Sequence, residues 1–149
     1  MSWANQEIYK LICQLPDDAL SAYATDPEWH VGEILRHIAT SSGGLGARLS
    51  GNTNEVLIRP ENMQDLKVIA EKLLQNDANL LELAKADDEK VAVIRDGKTI
   101  HWMRSTIINQ AIHHATEHRA QAVSALEAKG YKAVDLDDFS LWAYEINVG

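Results

Sequence analysis

Ile107-Ile108-Asn109-Gln110-Ala111-Ile112-His113-His114-Ala115-Thr116-Glu117-His118-Arg119-Ala120-Gln121-Ala122 carries the decisive pattern of this chain. Ile107, Ala111, His114, His118, Ala122 and Ala125 recur every three or four residues, which is the period of one helix face. His114 and His118 therefore stack one turn apart. Two imidazoles so placed can close on one metal ion at N–metal distances of about 2.0–2.1 Å. The stripe assigns both of them to the interior of a helical assembly. An apolar interior disfavours protonating two neighbouring imidazoles, so both must be neutral and share a partner. A metal ion is one such partner, and a purely structural pair is the alternative. The segment starts near Ser105, a candidate N-cap, and ends at Gly130, a candidate C′ residue. At 1.5 Å per residue it is about 40 Å long.

The same period appears three more times along the chain. Ala4, Ile8, Leu11, Ile12 and Leu15 form a first stripe, closed by Pro16, and Pro16-Asp17-Asp18 can open a short second piece. Val31, Ile34, Leu35, Ile38, Leu45 and Leu49 form a second from about Val31 to Leu49. Gly43, Gly44 and Gly46 interrupt it at about 1 kcal/mol each relative to Ala, so the helix kinks there or another backbone packs closely. Their spacing fits no phosphate cradle, and no Lys-Ser/Thr follows. Leu66, Ile69, Ala70, Leu73, Leu80 and Ala84 form a third stripe from about Glu61 to Lys85. Asp77 falls on it, either as a ligand or acid-base group or, more simply, as a solvated or paired residue at an imperfect edge.

After a charged turn at Asp87-Asp88-Glu89-Lys90 comes a β-branched run, Val91 to Ile94. Asp96-Gly97 then supplies a tight hairpin turn, with Lys98 to Trp102 as the return strand. Phe139, Trp142, Ala143 and Ile146 give a last short helical spacing. The expected fold is all-α: one domain over residues 1–149, an up-down four-helix bundle with a small β-hairpin insert before the last bundle helix and a short C-terminal helix.

Composition narrows the function. The 149 residues suffice for a buried core without disulfides. The 22 acidic residues outweigh 14 basic ones for a net charge of -8, which opposes nucleic-acid binding. Cys13 is alone, which fits a reducing compartment, and its helix gives it no basic neighbour to activate it. No signal segment and no membrane span is visible, so a cytoplasmic location is expected. Six histidines stand beside that single cysteine.

A metal site needs a third protein ligand, and His30, His37 and His101 are the candidates. His30 and His37 lie seven apart on the flank of the second stripe, and spacing does not choose between them. His101 sits on the hairpin arm, a less rigid place for a ligand. His113 points about 100° away from the pair, toward the surface. Glu117 either supports the ligands from behind or is a solvated carboxylate. Glu33 shares a face with His37 and is the best, though weak, candidate for a general base; a salt bridge to Arg36 or Arg119 competes for it. Arg119 is expected to pair with an acidic residue on a neighbouring helix. Trp29, Trp102, Trp142 and Tyr144 could line a pocket or simply pack. No catalytic residue can be picked out.

Two runs carry a resemblance. Trp29-His30-Val31-Gly32-Glu33-Ile34-Leu35-Arg36-His37-Ile38 resembles the "W-S-v-x-E-x-l-x-H-l" signature of the DinB-like (YfiT-like) metalloenzymes. His114-Ala115-Thr116-Glu117-His118-Arg119-Ala120-Gln121 resembles their "H-x-x-x-H-R-G-Q". The tail, Leu126 to Gly130 followed by Asp138 and Trp142, is similar to their "L-x-x-x-G" and acidic, Trp-containing end. The resemblance covers nearly the whole chain. It implies a four-helix bundle and, position by position, His37, His114 and His118 as metal ligands. It also implies a divalent metal (zinc, nickel or manganese), a small-molecule substrate and a homodimer. In some relatives a low-molecular-weight thiol such as mycothiol or bacillithiol is a co-substrate. Two positions depart from the pattern. His30 replaces a Ser, where it could add a polar group at the mouth of the site or sit in solvent. Ala120 replaces a Gly. Neither removes a ligand.

The expected function is a metal-dependent enzyme in which the ion acts as a Lewis acid, for hydrolysis or for S-transfer from a thiol co-substrate. The rival is a non-catalytic helical module for binding or dimerisation with a structural or vestigial metal site. Apolar stripes look the same under both.

Overall fold

The computed structural model describes residues 1–149. Five α-helices and one antiparallel hairpin follow in the order α1 (Ser2–Ile12), α2 (Val31–Ser50), α3 (Met63–Leu83), β1 (Lys90–Arg95), β2 (Lys98–Met103), α4 (Arg104–Ala128) and α5 (Leu141–Asn147). Short 3₁₀ turns occupy Asp17–Ser21 and Leu136–Phe139. α2 packs against both α3 and α4, and α1 touches the same two helices. No helix is long and apolar enough to cross a membrane.

The helix ends follow local chemistry. Asn62 caps α3, its Oδ1 accepting from the backbone N–H groups of Gln64 and Asp65, while the Asp65 carboxylate accepts from Glu61 N. Gly130 takes φ +88 beyond α4, and Tyr131 N donates back to Leu126 O, closing the helix as the sequence suggests. Asp96 and Gly97 both hold positive φ, which sets the hairpin register Arg95↔Lys98.

Ser105 does not cap α4. β2 runs directly into the helix with Met103 at the cap position, and the cap comes from outside. Asp88 accepts from Ser105 N and Ser105 Oγ, each at 2.8 Å. Arg104 donates to the carbonyls of Asp87 and Leu83. The charged turn before the hairpin is thus a clamp on the start of α4, and not merely solvated. The terminal segment also differs. Phe139 and Tyr144 pack on Trp3, but Leu141, Trp142 and Ile146 face outward, Trp142 at 79% exposure.

The helix α2 is unbroken through its glycines. A Cβ at Gly43 would stand 2.6 Å from Asn54 Oδ1 and 2.8 Å from Asn76 Nδ2. Close approach is therefore the correct alternative to a kink, but amide side chains fill the space, not backbone. Asn76 uses it to donate to the Ala39 carbonyl.

The core has two apolar clusters. The larger joins α1, α2, α3 and α4 around Ile8, Ile34, Leu35, Leu66, Leu73 and Leu126. The smaller, around Leu45, Leu49, Leu80, Val93 and Ile107, ties the hairpin to the helices. A buried polar network lies among these helices. Arg119 Nη1 donates to Asn5 Oδ1 (2.6 Å), Asn5 Nδ2 to Asp77 Oδ2 (2.8 Å) and Ser42 Oγ to Asp77 Oδ1 (2.7 Å). Asp77 is therefore no edge residue: it is 2% exposed and fully engaged. Arg119 does reach an acid on a neighbouring helix, but through the amide of Asn5. Burial pushes the Asp77 carboxyl up, and the Asn5 and Ser42 donors pull it back.

Asp77→Ala leaves Arg119 without its counter-charge and two buried donors without an acceptor. We expect it to cost about 3 kcal/mol, read as a lower urea midpoint at unchanged slope. Adding Arg119→Met to it should recover part of that loss.

Candidate metal centre

His37 comes from the second turn of α2, and His114 and His118 from the middle of α4. Both segments are rigid helix anchored in the larger cluster, the kind of support a metal site needs. His37 Nε2 lies 3.0 Å from His114 Nε2, and His118 Nε2 lies 3.1 Å from the same atom. The candidate ligand nitrogens of the three all lie within 4.8 Å of one another, so the three could hold a metal ion. The two α4 histidines sit at the edge of the buried face rather than its centre, because Ala115 and Arg119 take the centre.

Protons alone do not satisfy this cluster. His118 Nδ1 is 2.8 Å from Gln121 Oε1, an amide oxygen that can only accept. Nδ1 therefore carries the proton, and in the neutral ring Nε2 presents a lone pair. His114 Nε2 has at most one proton, in the ring plane, for two facing nitrogens. A cation shared by the three lone pairs removes the conflict. Two nitrogens that share an ion at about 2.0–2.1 Å lie no more than about 4.2 Å apart, and the contacts of 3.0 and 3.1 Å meet that limit.

The surroundings favour neutral rings. Burial, followed by the charges His118 and His37 would carry, pushes His114 down to about 4. His37 is lowered too, by burial first, then by His118 and Arg36, against a smaller opposing effect of Glu33. Trp29 stands edge-on to His37 and His118, with ring centroids 5.2 and 5.5 Å away, and its Nε1 donates to Gln121 Oε1. Gln121 thus accepts from both Trp29 and His118. The only sequence signal for this contact is the place of Gln121 three residues after His118, on the same helix face.

The other expected residues fall as follows. His30 precedes α2, and its Nδ1 lies 2.8 Å from the Leu20 carbonyl, to which it donates; the Glu33 N–H approaches the same nitrogen at 3.4 Å. It joins the 3₁₀ turn to the start of α2 and is not in the cluster. Glu33 is held by Arg36 and by Arg59 Nε at 3.2 Å, not by Arg119, and these hydrogen bonds hold its carboxyl below the usual range. Glu117 is exposed and acts on His114 only through its charge. His113 and His101 are exposed. Cys13 is half-buried, and burial raises its thiol.

His37 and His114 open onto a cleft of about 680 Å³ between α2, α4 and the hairpin. That is within the size range of small-molecule sites. Trp102 lines it; Trp142 and Tyr144 do not. Thr40, one turn along α2 from His37, also lines it, and its Oγ1 is buried without a hydrogen-bond partner.

The DinB family matches the chain over residues 1–146. The chain belongs to the DinB family. No curated protein and no solved structure matches it. In this DinB chain the structure brings three histidines, His37 from α2 and His114 and His118 from α4, together across two helices.

The lowered His114 has a consequence for the metal-free protein. The unfolded chain takes up a proton near 6.5 and the folded chain only at about 4. Between these values the unfolded state binds more protons, so stability falls as pH drops. Urea midpoints at about pH 7.5 and about pH 5 should show this loss, and His114→Gln should reduce it.

Proposed function

We propose that this DinB-family chain is a divalent-metal enzyme acting on a small molecule in the cleft beside His37 and His114. The observation that carries the reading is the convergence of three imidazole nitrogens at one end of an open cleft. The proposed ligands are His37, His114 and His118, holding zinc, nickel or manganese. When bound, such an ion supplies a Lewis acid for hydrolysis or for S-transfer from a low-molecular-weight thiol. The chain's own residues do the rest. Gln121 fixes the His118 tautomer and ring plane, and Trp29 walls the cluster on the side of His37 and His118. Any thiol comes from a co-substrate, since Cys13 lines no part of the cleft.

The same reading takes the four long helices as an up-down bundle forming one domain, with hairpin and α5 appended. It takes the chain to act in the cytoplasm as a homodimer, without nucleic acid or membrane partners. The net charge of -8 supports the exclusion of nucleic acid.

Elemental analysis of protein purified without an affinity tag should give close to one divalent ion per chain. His118→Ala should reduce it several-fold without unfolding the protein. Equal, negligible metal in both would refute the reading. Azide or a small thiol should perturb the spectrum of the cobalt-substituted protein; silence there, with metal present, would favour a closed structural site.

Gln121→Leu keeps all three ligands but removes the acceptor behind His118. Loss of such a partner typically weakens metal binding about 10–100-fold. A chelator competition titration should show that loss, with the circular dichroism of the wild type retained.

A further inference from the structure

We propose that the cleft beside His37 and His114 takes a small organic anion, its acidic group held by Arg48 and Arg95 and its apolar part lying against Trp102. This deepens the reading of the cleft as a substrate site and rests on it, but not on which ion the histidines hold.

The chain has six arginines. Four are engaged. Arg36 and Arg59 hold Glu33, Arg104 holds carbonyls at the foot of the hairpin, and Arg119 holds Asn5. Arg48 and Arg95 are the other two, and both line the cleft. Arg48 has no carboxylate within salt-bridge reach. Arg95 has only its chain neighbour Asp96, at 3.8 Å and almost fully exposed. None of the residues lining the cleft is an Asp or Glu, in a chain that carries 22 of them. In a protein of net charge -8, two guanidinium groups in a concavity without lining acids, one of them paired only with an exposed neighbour, form a local field of opposite sign to the whole.

Placement along the helix fits one elongated ligand. His37, Thr40, Ser41, Gly44 and Arg48 all line the cleft from α2, at spacings of three, four, seven and eleven from His37. They form one stripe, and eleven residues carry Arg48 about 16 Å along the axis from His37. The Arg48 side chain shortens that span. Its Nη1 lies 3.7 Å from the point where a Cβ on Gly44 would stand, so the guanidinium folds back toward the histidines. Across from it, β1 contributes Arg95 and the exposed Ile94, and β2 contributes Trp102. The rest of the lining is mixed, with Leu45 and Ile107 beside Ser41, Thr106 and Gln110. A planar, forked guanidinium suits a carboxylate, which it can bind through two parallel N–H groups.

The test is calorimetric titration of the untagged protein with benzoate, succinate, benzamide and inorganic phosphate, as purified and after metal removal. Benzoate and succinate should bind, benzamide at least tenfold more weakly, with affinity falling as salt is raised. Arg48→Ala and Arg95→Ala should each weaken benzoate at least tenfold, and Arg48→Lys by less, all with wild-type circular dichroism and metal content. Benzamide binding as tightly as benzoate, arginine variants that bind like wild type, or no carboxylate binding at millimolar concentration would each overturn the proposal. Phosphate binding as tightly as benzoate would overturn its organic part. The stripped protein separates the two readings: absent metal leaves arginine-dependent benzoate binding intact, and failed anion binding leaves the metal content untouched.

Discussion

A guanidinium inside a helical core must be neutralised and hydrogen-bonded, and much of this structure is arranged around that requirement. Arg119 is 7% exposed. Its charge is met at one remove: it donates to Asn5, Asn5 donates to Asp77, and Ser42 completes the Asp77 carboxylate. The four residues come from α4, α1, α3 and α2, so one polar network ties all four long helices. Leaving any member unpaired costs more than the pairing yields, which makes such a network strict about geometry. It fixes which face of α4 turns inward. Arg119, Ala115 and Ala111 take the buried centre, and residue 118, one position away, is rotated by about 100°. His114 and His118 therefore land on the rim of the core, beside a cleft instead of within packed side chains.

The same level of the molecule separates the two apolar clusters. On α2 the larger cluster ends at Ala39 and the smaller begins at Leu45. Between them stand Thr40, Ser42, Gly43 and Gly44, with Gly46 just beyond. Three glycines in a helix are unfavourable by propensity. Here Gly43 and Gly46 admit amide side chains at distances no Cβ would allow, Asn54 and Asn76 at Gly43 and Asn79 at Gly46, and Gly44 is nearly as tight against Asn54. The local cost to α2 is set against close packing of α2 on α3, which holds the polar seam together.

The parts legible in the sequence were those governed by local rules. Helical periods placed α2, α3 and α4 to within a few residues, and Asp96-Gly97 placed the hairpin turn. The face shared by His114 and His118 followed from spacing of four. His37 did not. Spacing alone left it level with His30, and only resemblance preferred it. The structure supplies the physical difference: His30 lies outside the helix and is spent on the Leu20 carbonyl, whereas His37 is a full turn inside it. What stayed hidden depends on partners distant in sequence. Asn5 meets Asp77 across 72 positions and Arg119 across 114. Asp88 caps α4 from across the hairpin, 17 residues before Ser105. The apolar spacing of Trp142 and Ile146 misled because periodicity shows that a face exists, not that the chain covers it.

The position of the histidines at the rim also bears on what kind of site this can be. A closed structural site surrounds its ion with protein donors, and a fourth would have to come from nearby. Glu33 is committed to two arginines, Glu117 is exposed and has no hydrogen bond to the cluster, and Cys13 is on another part of the fold. An ion held by these three nitrogens alone would keep coordination positions for something from outside. The cleft leads to His37 and His114, while Trp29 and Gln121 stand behind His118. The approach through the cleft runs past the hairpin and past Arg48 and Arg95. The hairpin, marginal as an isolated pair of strands, earns its place in the fold by forming that wall: Val93 anchors it in the smaller cluster, and Ile94, Arg95 and Trp102 are left facing the cleft.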